Sequence, residues 1–397
     1  MKDSALKNIS TLLLLVYLVL QLLCVASITR ITQIVFVVWF LFAYAAYTPI
    51  VRKTLSSKVV GTLVVFLLYY GLSLLFSHDV LYSISAVLSM LEMFSPLLMY
   101  NILNDDTKKT KTIVFICVSF IFVFNIISCY SYINHSVTSS GLRDIELFTN
   151  YKNTFFVLYS IVLLVPFVIY YLSQLNFKSK RFLGIRLSII AYVICAFLAY
   201  FVIKAQFMTA IVVTVSGVLF AFFHKRKGSI IVIPVAALLF VFLFVAFSDT
   251  LIQIADDNDM TAVSQRLEEV QHITARNAEE AQDFSYRQDL TRTSFETFLE
   301  HPLFGVHYKY ESINEAKLLS IGNHAEWVDS LAKYGLFGIL LIYFIIKVIL
   351  KQKRLIDTNI HYLLFIVLGF FNPILSFYMV FTVFAYLPLL RDVCFEE

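Results

Sequence analysis

The sequence is poor in charged residues. Asp, Glu, Lys and Arg make up only 15% of its 397 residues, whereas 59% are hydrophobic and the mean hydropathy is +0.80. Soluble domains average about 25% charged and about 45–50% apolar residues, because their surfaces must be hydrated. This composition excludes a soluble globular enzyme and a disordered tail protein. It predicts a polytopic membrane protein.

Cysteines and signature motifs are also scarce. Four of the five cysteines lie in apolar runs and one lies near the C-terminus; they are Cys24, Cys117, Cys129, Cys195 and Cys394. This pattern excludes a secreted disulfide scaffold and has no metal-ligand spacing. The chain has no GxGxxG, GxxxxGK[ST], HExxH, GxSxG or CxxC motif, which argues against a nucleotide-driven pump. We expect no cofactor and no metal, and without a basic stripe we expect no nucleic-acid partner.

Long apolar runs are what the sequence has in abundance. A transmembrane helix needs ~20 mostly apolar residues. Twelve runs approach this, near residues 9–29, 31–51, 59–77, 80–103, 113–134, 153–175, 187–203, 205–223, 229–248, 327–350, 359–377 and 378–390. We therefore predict an all-α polytopic fold of about twelve transmembrane helices. Nine of them occupy residues 1–248, a large polar loop follows at 249–326, and three helices and a short tail occupy 327–397.

The distribution of Lys and Arg predicts the orientation of these spans. With the N-terminus inside, the inside loops hold 20 Lys and Arg residues and the short outside loops hold 4. By the positive-inside rule both termini are cytoplasmic and the loop at 249–326 is extracytoplasmic. That loop is acidic, with 15 Asp and Glu against 6 Lys and Arg.

Two stretches of the large loop have helical character. Residues 261–282 have only a weak apolar stripe, whereas residues 285–300 place Leu290 and Phe298 at helical spacing. Ser285 is the predicted N-cap of the second helix, and His301-Pro302 is its predicted end.

His324 is the first candidate for catalysis. It stands directly before the apolar run at 327–350, and Gly335 and Gly338 follow three residues apart on what we expect to be one helix. Histidine titrates near neutral pH and can accept a hydroxyl proton. Alternatively, His324 is an interfacial histidine, with Trp327 and Tyr334 as aromatic anchors of the membrane boundary.

Arg287 is the second candidate and lies fifteen residues before Pro302. A guanidinium group at this place can hold phosphate oxygens with two hydrogen bonds. Alternatively, Arg287 is an exposed loop residue paired with Asp283 or Asp289. Arg292 is a weaker candidate, one turn and a fraction further along the same predicted helix.

These residues resemble two motifs of the O-antigen ligase/polymerase superfamily, a group of bacterial polytopic membrane glycosyltransferases. The first is an arginine about fifteen residues before a His-Pro-Leu-x-Gly-Val sequence, here Arg287 and residues 301–306. The second is a histidine followed, after a polar residue and nine others, by two glycines three apart, here His324, Gly335 and Gly338. Ala325 stands in place of the usual polar residue.

The resemblance implies a metal-independent glycosyltransferase with a C-type architecture in the bacterial cytoplasmic (inner) membrane. Its donor is a glycan on undecaprenyl pyrophosphate at the outer leaflet. Its glycan acceptor is another lipid-linked repeat in a polymerase, and lipid A core or a protein in a ligase. His324 is then the general base, and Arg287 binds the leaving pyrophosphate. A chain-length regulator and a flippase are further candidate partners.

The resemblance also implies a cation that contacts the phosphates from a middle span. The family often has an arginine near the outer end of such a span, where this sequence has Gln206 at the aligned position. Lys204 stands two residues earlier and is the candidate for a second phosphate contact. Alternatively, Lys204 extends its amine from a span end to the membrane surface.

Four functions are weighed on this basis. A polymerase of capsular, exopolysaccharide or O-antigen repeats is favoured, with an O-antigen ligase as the alternative. A transporter or flippase is a further alternative. Such proteins usually need ionisable groups near the bilayer midplane and often have repeated halves, whereas the predicted spans here are almost free of charge and show no repeat. A non-catalytic scaffold of a polysaccharide assembly complex is the last.

Overall fold

The computed structural model describes residues 2–23, 29–76, 80–135, 154–174, 181–182, 185–223, 248–257, 263–265, 267–268, 271, 282–307, 321, 325–351 and 360–395. Nearly all of these residues are helical. The helices of the first half are α1 (Lys2–Leu22), α2 (Thr29–Ala46), α3 (Thr48–Leu55), α4 (Lys58–Leu75), α5 (Val80–Phe94), α6 (Pro96–Asp105), α7 (Lys108–His135) and α8 (Thr154–Gln174).

The second half of the chain begins with a two-residue antiparallel ladder, β1 (Arg181–Phe182) and β2 (Ile185–Arg186). The helices that follow are α9 (Leu187–Lys204), α10 (Met208–Phe223), α11 (Ser248–Asp257), α12 (Gln282–Glu300), α13 (Glu326–Tyr334), α14 (Leu336–Lys351), α15 (Ile360–Leu368) and α16 (Phe377–Phe395). Residues Thr382–Tyr386 and Arg391–Phe395 of α16 are π-helical.

Several of these helices have the length and apolarity of membrane spans. Within the described ranges five qualify singly: Ser4–Leu22, Lys58–Leu75, Lys108–Cys129, Phe155–Ser173 and Phe377–Phe395. Two bent pairs, α2 with α3 and α5 with α6, raise the number to as many as seven. The chain is therefore a helical, multi-pass membrane protein. The predicted span at 229–248 lies outside the described residues.

The two bends have a sequence cause. The axis turns by 110° between α2 and α3 and by 43° between α5 and α6. Pro49 and Pro96 lie in the first turn of the second helix of each pair. Proline has no backbone N–H and suits the first turn of a helix, where that donor has no intrahelical partner. The predicted spans at 31–51 and 80–103 are therefore bent pairs of helices.

The core of the bundle is built around α8, most of which is buried. Close packing there depends on Gly217 of α10. A Cβ atom at this position would lie 2.7 Å from the ring of Pro166 on α8 and 2.9 Å from Leu364 on α15. The missing side chain thus lets three helices meet at one level. Aromatic side chains fill much of the remaining core, including Tyr17 stacked on Trp39.

The polar segment differs from its prediction at one end. The predicted helix at 285–300 is present as α12, and its end at Glu300 is confirmed. It begins three residues earlier, at Gln282, so the prediction of Ser285 as N-cap is wrong.

Candidate functional site

The His-Pro-Leu-Phe-Gly-Val loop that follows α12 is docked on the junction of α13 and α14. The N–H of Val306 donates to the carbonyl of Ala332 at 3.1 Å. In return, the N–H of Leu336 donates to the carbonyl of Pro302 at 2.8 Å. The first sequence motif is therefore joined by backbone hydrogen bonds to the glycine end of the second motif.

Two glycines make this docking sterically feasible. Gly305 has a φ of +63° and Gly335 has a φ of +58°, a region that residues with a side chain rarely adopt. A Cβ on Gly305 would collide with the backbone carbonyl of Lys333. A Cβ on Gly335 would lie 2.6 Å from the carbonyl oxygen of Pro302. Each glycine thus provides the space in which the other segment packs.

The position of Gly335 corrects an expectation from the sequence. Gly335 ends α13, so the predicted span at 327–350 is divided and Gly335 and Gly338 do not share one helix. Gly338 lies in the first turn of α14, where a Cβ would meet the carbonyl of Ser330. Both glycines therefore shape the junction between α13 and α14. The aromatic residues of α13 are not surface anchors either, since Trp327 and Tyr334 are buried.

Two tyrosines of α4 hold the docked loop from the other side. The hydroxyl of Tyr69 donates to the carbonyl of Phe304, and its ring stacks on Phe337 with centroids 3.9 Å apart. The ring of Tyr70 stacks on His307 at 4.9 Å. Through this contact His307 packs the end of the loop against α4.

Asp329 connects the polar helix α12 to the start of α13. Its side chain is only 3% exposed. One carboxylate oxygen accepts from the hydroxyl of Ser294 at 2.7 Å, and the other accepts from the N–H of Ala325 at 3.0 Å. Asp329 is therefore not a solvated carboxylate at a helix start, because both of its oxygens accept from donors inside the protein. Asp329 fixes the residue that directly follows His324.

Glu326 fixes the same residues from the opposite side. Its Oε2 accepts the backbone N–H groups of Ile374 and Leu375 at 2.8 and 2.9 Å. Burial raises the pKa of Glu326, and these two donors oppose that shift. The segment between α15 and α16 is thereby attached to the first turn of α13. Like Asp329, Glu326 accepts hydrogen bonds from backbone groups inside the protein.

The turn between α9 and α10 belongs to the same end of the bundle. Lys204 is the last residue of α9 and is partly exposed, and Gln206 has a φ of +59° in the turn that follows. Phe207 packs edge-on against Tyr159, whose hydroxyl donates to Asn372 at 3.1 Å. The carbonyl of Asn372 accepts the N–H of Glu326 at 3.4 Å. A short series of contacts thus links the turn after Lys204 to the residues after His324.

Arg287 occupies a favourable position on α12. Ser294 of α12 contacts Asp329 near the start of α13, and Pro302, just after α12, contacts Leu336, just after α13. Since both contacts follow the same order along the chain, α12 and α13 run in the same direction. Arg287 is seven residues before Ser294, which places it on the same helix face about 10 Å further back. The side chain of Arg287 and all of His324 lie outside the described residues.

Arg292 is placed differently. It lies five residues after Arg287, so the two positions are about 140° apart around α12. Its guanidinium is exposed and its Nε donates to Glu296 at 2.7 Å, which raises the pKa of Arg292. It remains the weaker candidate for a phosphate contact.

In the described part of the chain, no group of three or more His, Cys, Asp or Glu residues is arranged to hold a metal ion.

The sequence alone did not predict Asp329, Glu326 and Ser294 as the residues that bring the motifs together. A signal for Asp329 was present, because a carboxylate in the first turns of a helix can bind the N–H groups exposed there. Its partner Ser294 carries no comparable signal, since the pair depends on how α12 packs on α13.

The fold and this arrangement define a class: a multi-pass helical membrane protein with a polar helical segment docked at one end of its bundle. Residues 191–343 match the family model described as O-antigen ligase. This match supports the resemblance to the O-antigen ligase/polymerase superfamily within residues 191–343, which make up less than half of the chain. Lys204, Arg287, Arg292 and His324 all fall within the matched residues. No curated protein matches the chain.

Proposed function

We propose that this protein polymerises oligosaccharide repeat units carried on undecaprenyl pyrophosphate at the outer leaflet of the bacterial cytoplasmic membrane. The donor is a lipid-linked glycan chain and the acceptor is a hydroxyl of another lipid-linked repeat. Both termini are cytoplasmic in this proposal, and the acidic segment 249–326 faces outward with its candidate site.

The observation that carries the proposal is the coupling of α12 to α13 through Asp329. The carboxylate binds Ser294 on the helix of Arg287 and the N–H of Ala325, the neighbour of His324. Arg287 and His324 are 37 positions apart in the sequence, yet a single buried side chain connects α12 to the start of α13. Such coupling is what a site needs when one motif holds the leaving group and the other activates the nucleophile.

Each residue has a defined role in the proposed reaction. The acceptor hydroxyl oxygen forms a bond to C1 of the donor sugar, and the bond between C1 and the pyrophosphate oxygen breaks. His324 takes the hydroxyl proton, a step typically worth about 10²–10⁴-fold in rate. Arg287 and Lys204 stabilise the charge that develops on the leaving pyrophosphate, with Arg292 as a weaker contact. The donor bond supplies the free energy, so no nucleotide is required.

A ligase that transfers the finished glycan to lipid A core or to a protein uses the same chemistry. The family model that matches residues 191–343 is described as O-antigen ligase, and this favours the ligase as the second candidate. The two differ only in the acceptor, so the products formed in the cell distinguish them.

A glycan-ladder experiment tests the proposal. The gene is deleted in its host and the strain is complemented with the wild type, with His324→Ala or with Arg287→Ala. The wild type should restore long chains, and both variants should leave single lipid-linked repeats. His272→Ala changes a histidine of the same polar segment without a proposed role, and it should behave as the wild type.

Two results would contradict the proposal. If long chains form on the lipid carrier without the gene but do not reach their final acceptor, the protein is a ligase. If His324→Ala complements fully at equal protein level, His324 is not the base and a transporter or a scaffold becomes the better explanation. Arg287→Lys adds resolution, because lysine keeps the charge but loses the planar double hydrogen bond and should restore only short ladders.

A further inference from the structure

A groove of about 380 Å³ lies between α4 and α5, beside the docked loop. Its lining combines two phenols, two serine hydroxyls and two thioethers. The residues that provide them are Tyr70, Tyr82, Ser85, Ser89, Met90 and Met93. Neither sequence motif includes any of these residues.

The chemistry of this lining suits an uncharged polar ligand. No Lys, Arg or His is among the lining residues, so the groove does not suit a pyrophosphate. Hydroxyl groups both donate and accept hydrogen bonds, as sugar hydroxyls require. Phenol rings add a flat apolar surface of the size of a sugar ring, with a polar end. A few polar groups in a largely apolar concavity are typical of small-ligand sites.

The two serines are held in position by a buried amide. Gln33 on α2 is 6% exposed. Its Nε2 lies 3.1 Å from the hydroxyl of Ser85 and 3.0 Å from that of Ser89, and it donates to both. The Ser85 hydroxyl in turn donates to Oε1 of Gln33 at 3.1 Å. The polar wall of the groove is therefore ordered before any ligand arrives, which lowers the entropic cost of binding.

The groove also adjoins the candidate site. Tyr70 lines the groove and its ring stacks on His307, the residue that follows the docked His-Pro-Leu-Phe-Gly-Val loop.

Along α5 the polar residues come first and the thioethers follow. From Ser85 to Met93 the helix advances about 12 Å. The groove is thus polar near the α5 start and apolar deeper along the helix.

We propose that this groove binds a neutral sugar ring of the glycan, separate from the place where the pyrophosphate is held. This inference rests on the proposed function and adds a substrate subsite to it. The serine hydroxyls and the Tyr82 phenol bind sugar hydroxyls, and the Tyr70 ring connects the subsite to the loop. The groove then contributes to the choice of repeat unit, while the residues of the two motifs carry out the transfer.

Photo-cross-linking tests the binding independently of activity. A benzophenone amino acid replaces Tyr82, or Ile84 as a control that is exposed on the same helix but does not line the groove. The probe is the host's own radiolabelled lipid-linked repeat in isolated membranes. Position 82 should give a labelled protein band and position 84 should not. Equal labelling at both positions, or none at position 82, would overturn the subsite.

Filling the groove tests its role in the reaction. Ser89→Leu places an isobutyl group among the lining residues, and Ile84→Phe adds similar bulk on the exposed control position. With the isolated lipid-linked repeat as substrate, Ser89→Leu should raise KM about tenfold or more while kcat changes less. Ser89→Ala should have a smaller effect in the same direction, and it serves if the larger side chain lowers the protein level.

The two proposals fail in different ways. If the wild type makes no long chains and no transfer to a final acceptor, the proposed function is wrong. If the wild type makes long chains, and Ser89→Leu has the KM of Ile84→Phe, the subsite is wrong while the proposed function stands.

Discussion

Replacing Asp329 by alanine is the most informative perturbation of the site. The change removes a buried carboxylate that accepts from Ser294 at 2.7 Å and from the N–H of Ala325 at 3.0 Å. Both donors are then left without their acceptor in a region that is closed to water. Because Asp329 joins α12 to the residues after His324, its loss should separate the two motifs and also lower stability.

The magnitude follows from these two hydrogen bonds. Hydrogen bonds to a charged group contribute about 1.5–3 kcal/mol each, so Asp329→Ala should cost about 3–5 kcal/mol. Ser294→Ala removes one of the donors to Asp329, at a cost of about 1–3 kcal/mol. Since the two residues are in contact, the double variant should be less destabilised than the sum of the singles, by about 0.5–3 kcal/mol.

The assay is thermal unfolding of the purified protein in detergent, combined with the glycan ladder. Glu296→Ala is the matched control, because it removes an exposed partner of Arg292 on the same helix and should cost less than about 1 kcal/mol. Strictly additive effects of Asp329→Ala and Ser294→Ala would show that the hydrogen bond does not couple the helices. An Asp329→Ala protein with wild-type stability and a full ladder would refute the argument entirely.

Other residues give further predictions. Gly305→Ala should destabilise the docked loop by more than about 2 kcal/mol, because the left-handed conformation alone costs roughly 1–2 kcal/mol and the new methyl meets a backbone carbonyl. Gly61→Ala on α4, where no atom lies within 4 Å of the new methyl, should stay within about 1 kcal/mol of the wild type. Both are measured by thermal unfolding, and equal effects would contradict the packing argument. Tyr69→Phe keeps the stacked ring, loses the hydrogen bond to the loop carbonyl and should cost about 1 kcal/mol in the same assay. Glu326→Gln tests the raised pKa of Glu326. In the wild type the folded state holds the carboxyl proton more tightly than the unfolded chain does, so the stability of the wild type should fall as the pH rises above the ordinary pKa of 4.5. The stability of the variant should not show this pH dependence.

The apolar runs predicted much of the helical fold, because a membrane span is specified by a local property that every window of sequence carries. Where the prediction erred, the cause is non-local. Gly335 reads as an ordinary residue of a long apolar run, yet it ends α13 because the loop after α12 packs into the space that it leaves. The bend before α3 had a local sign in Pro49, which a hydropathy window averages away.

In the candidate site, too, local sequence features were predictable and contacts between distant segments were not. Arg287 and His324 became candidates through the resemblance of their motifs to a family, and they stay predictions; the docking of the loop at residues 301–306 shows that the segments of the two motifs are in contact. The burial of Asp329 was not predictable, because carboxylates at helix starts are usually solvated and only the packing of α12 makes this one interior. Glu326 is similar, since its donors come from residues 374 and 375, far along the chain.

Some of the groups that hold the two motifs lie outside the stretch that matches the family model. Residues 191–343 contain both motifs, but Tyr69 precedes this stretch and Ile374 and Leu375 follow it. A fragment cut at the boundaries of this stretch would therefore keep the candidate residues and lose some of the groups that hold their segments in place. Chimaeras that exchange this stretch between relatives should work only when α4 and the segment between α15 and α16 are exchanged with it. A change of substrate preference in such a protein would then require substitutions outside residues 191–343 as well as within them.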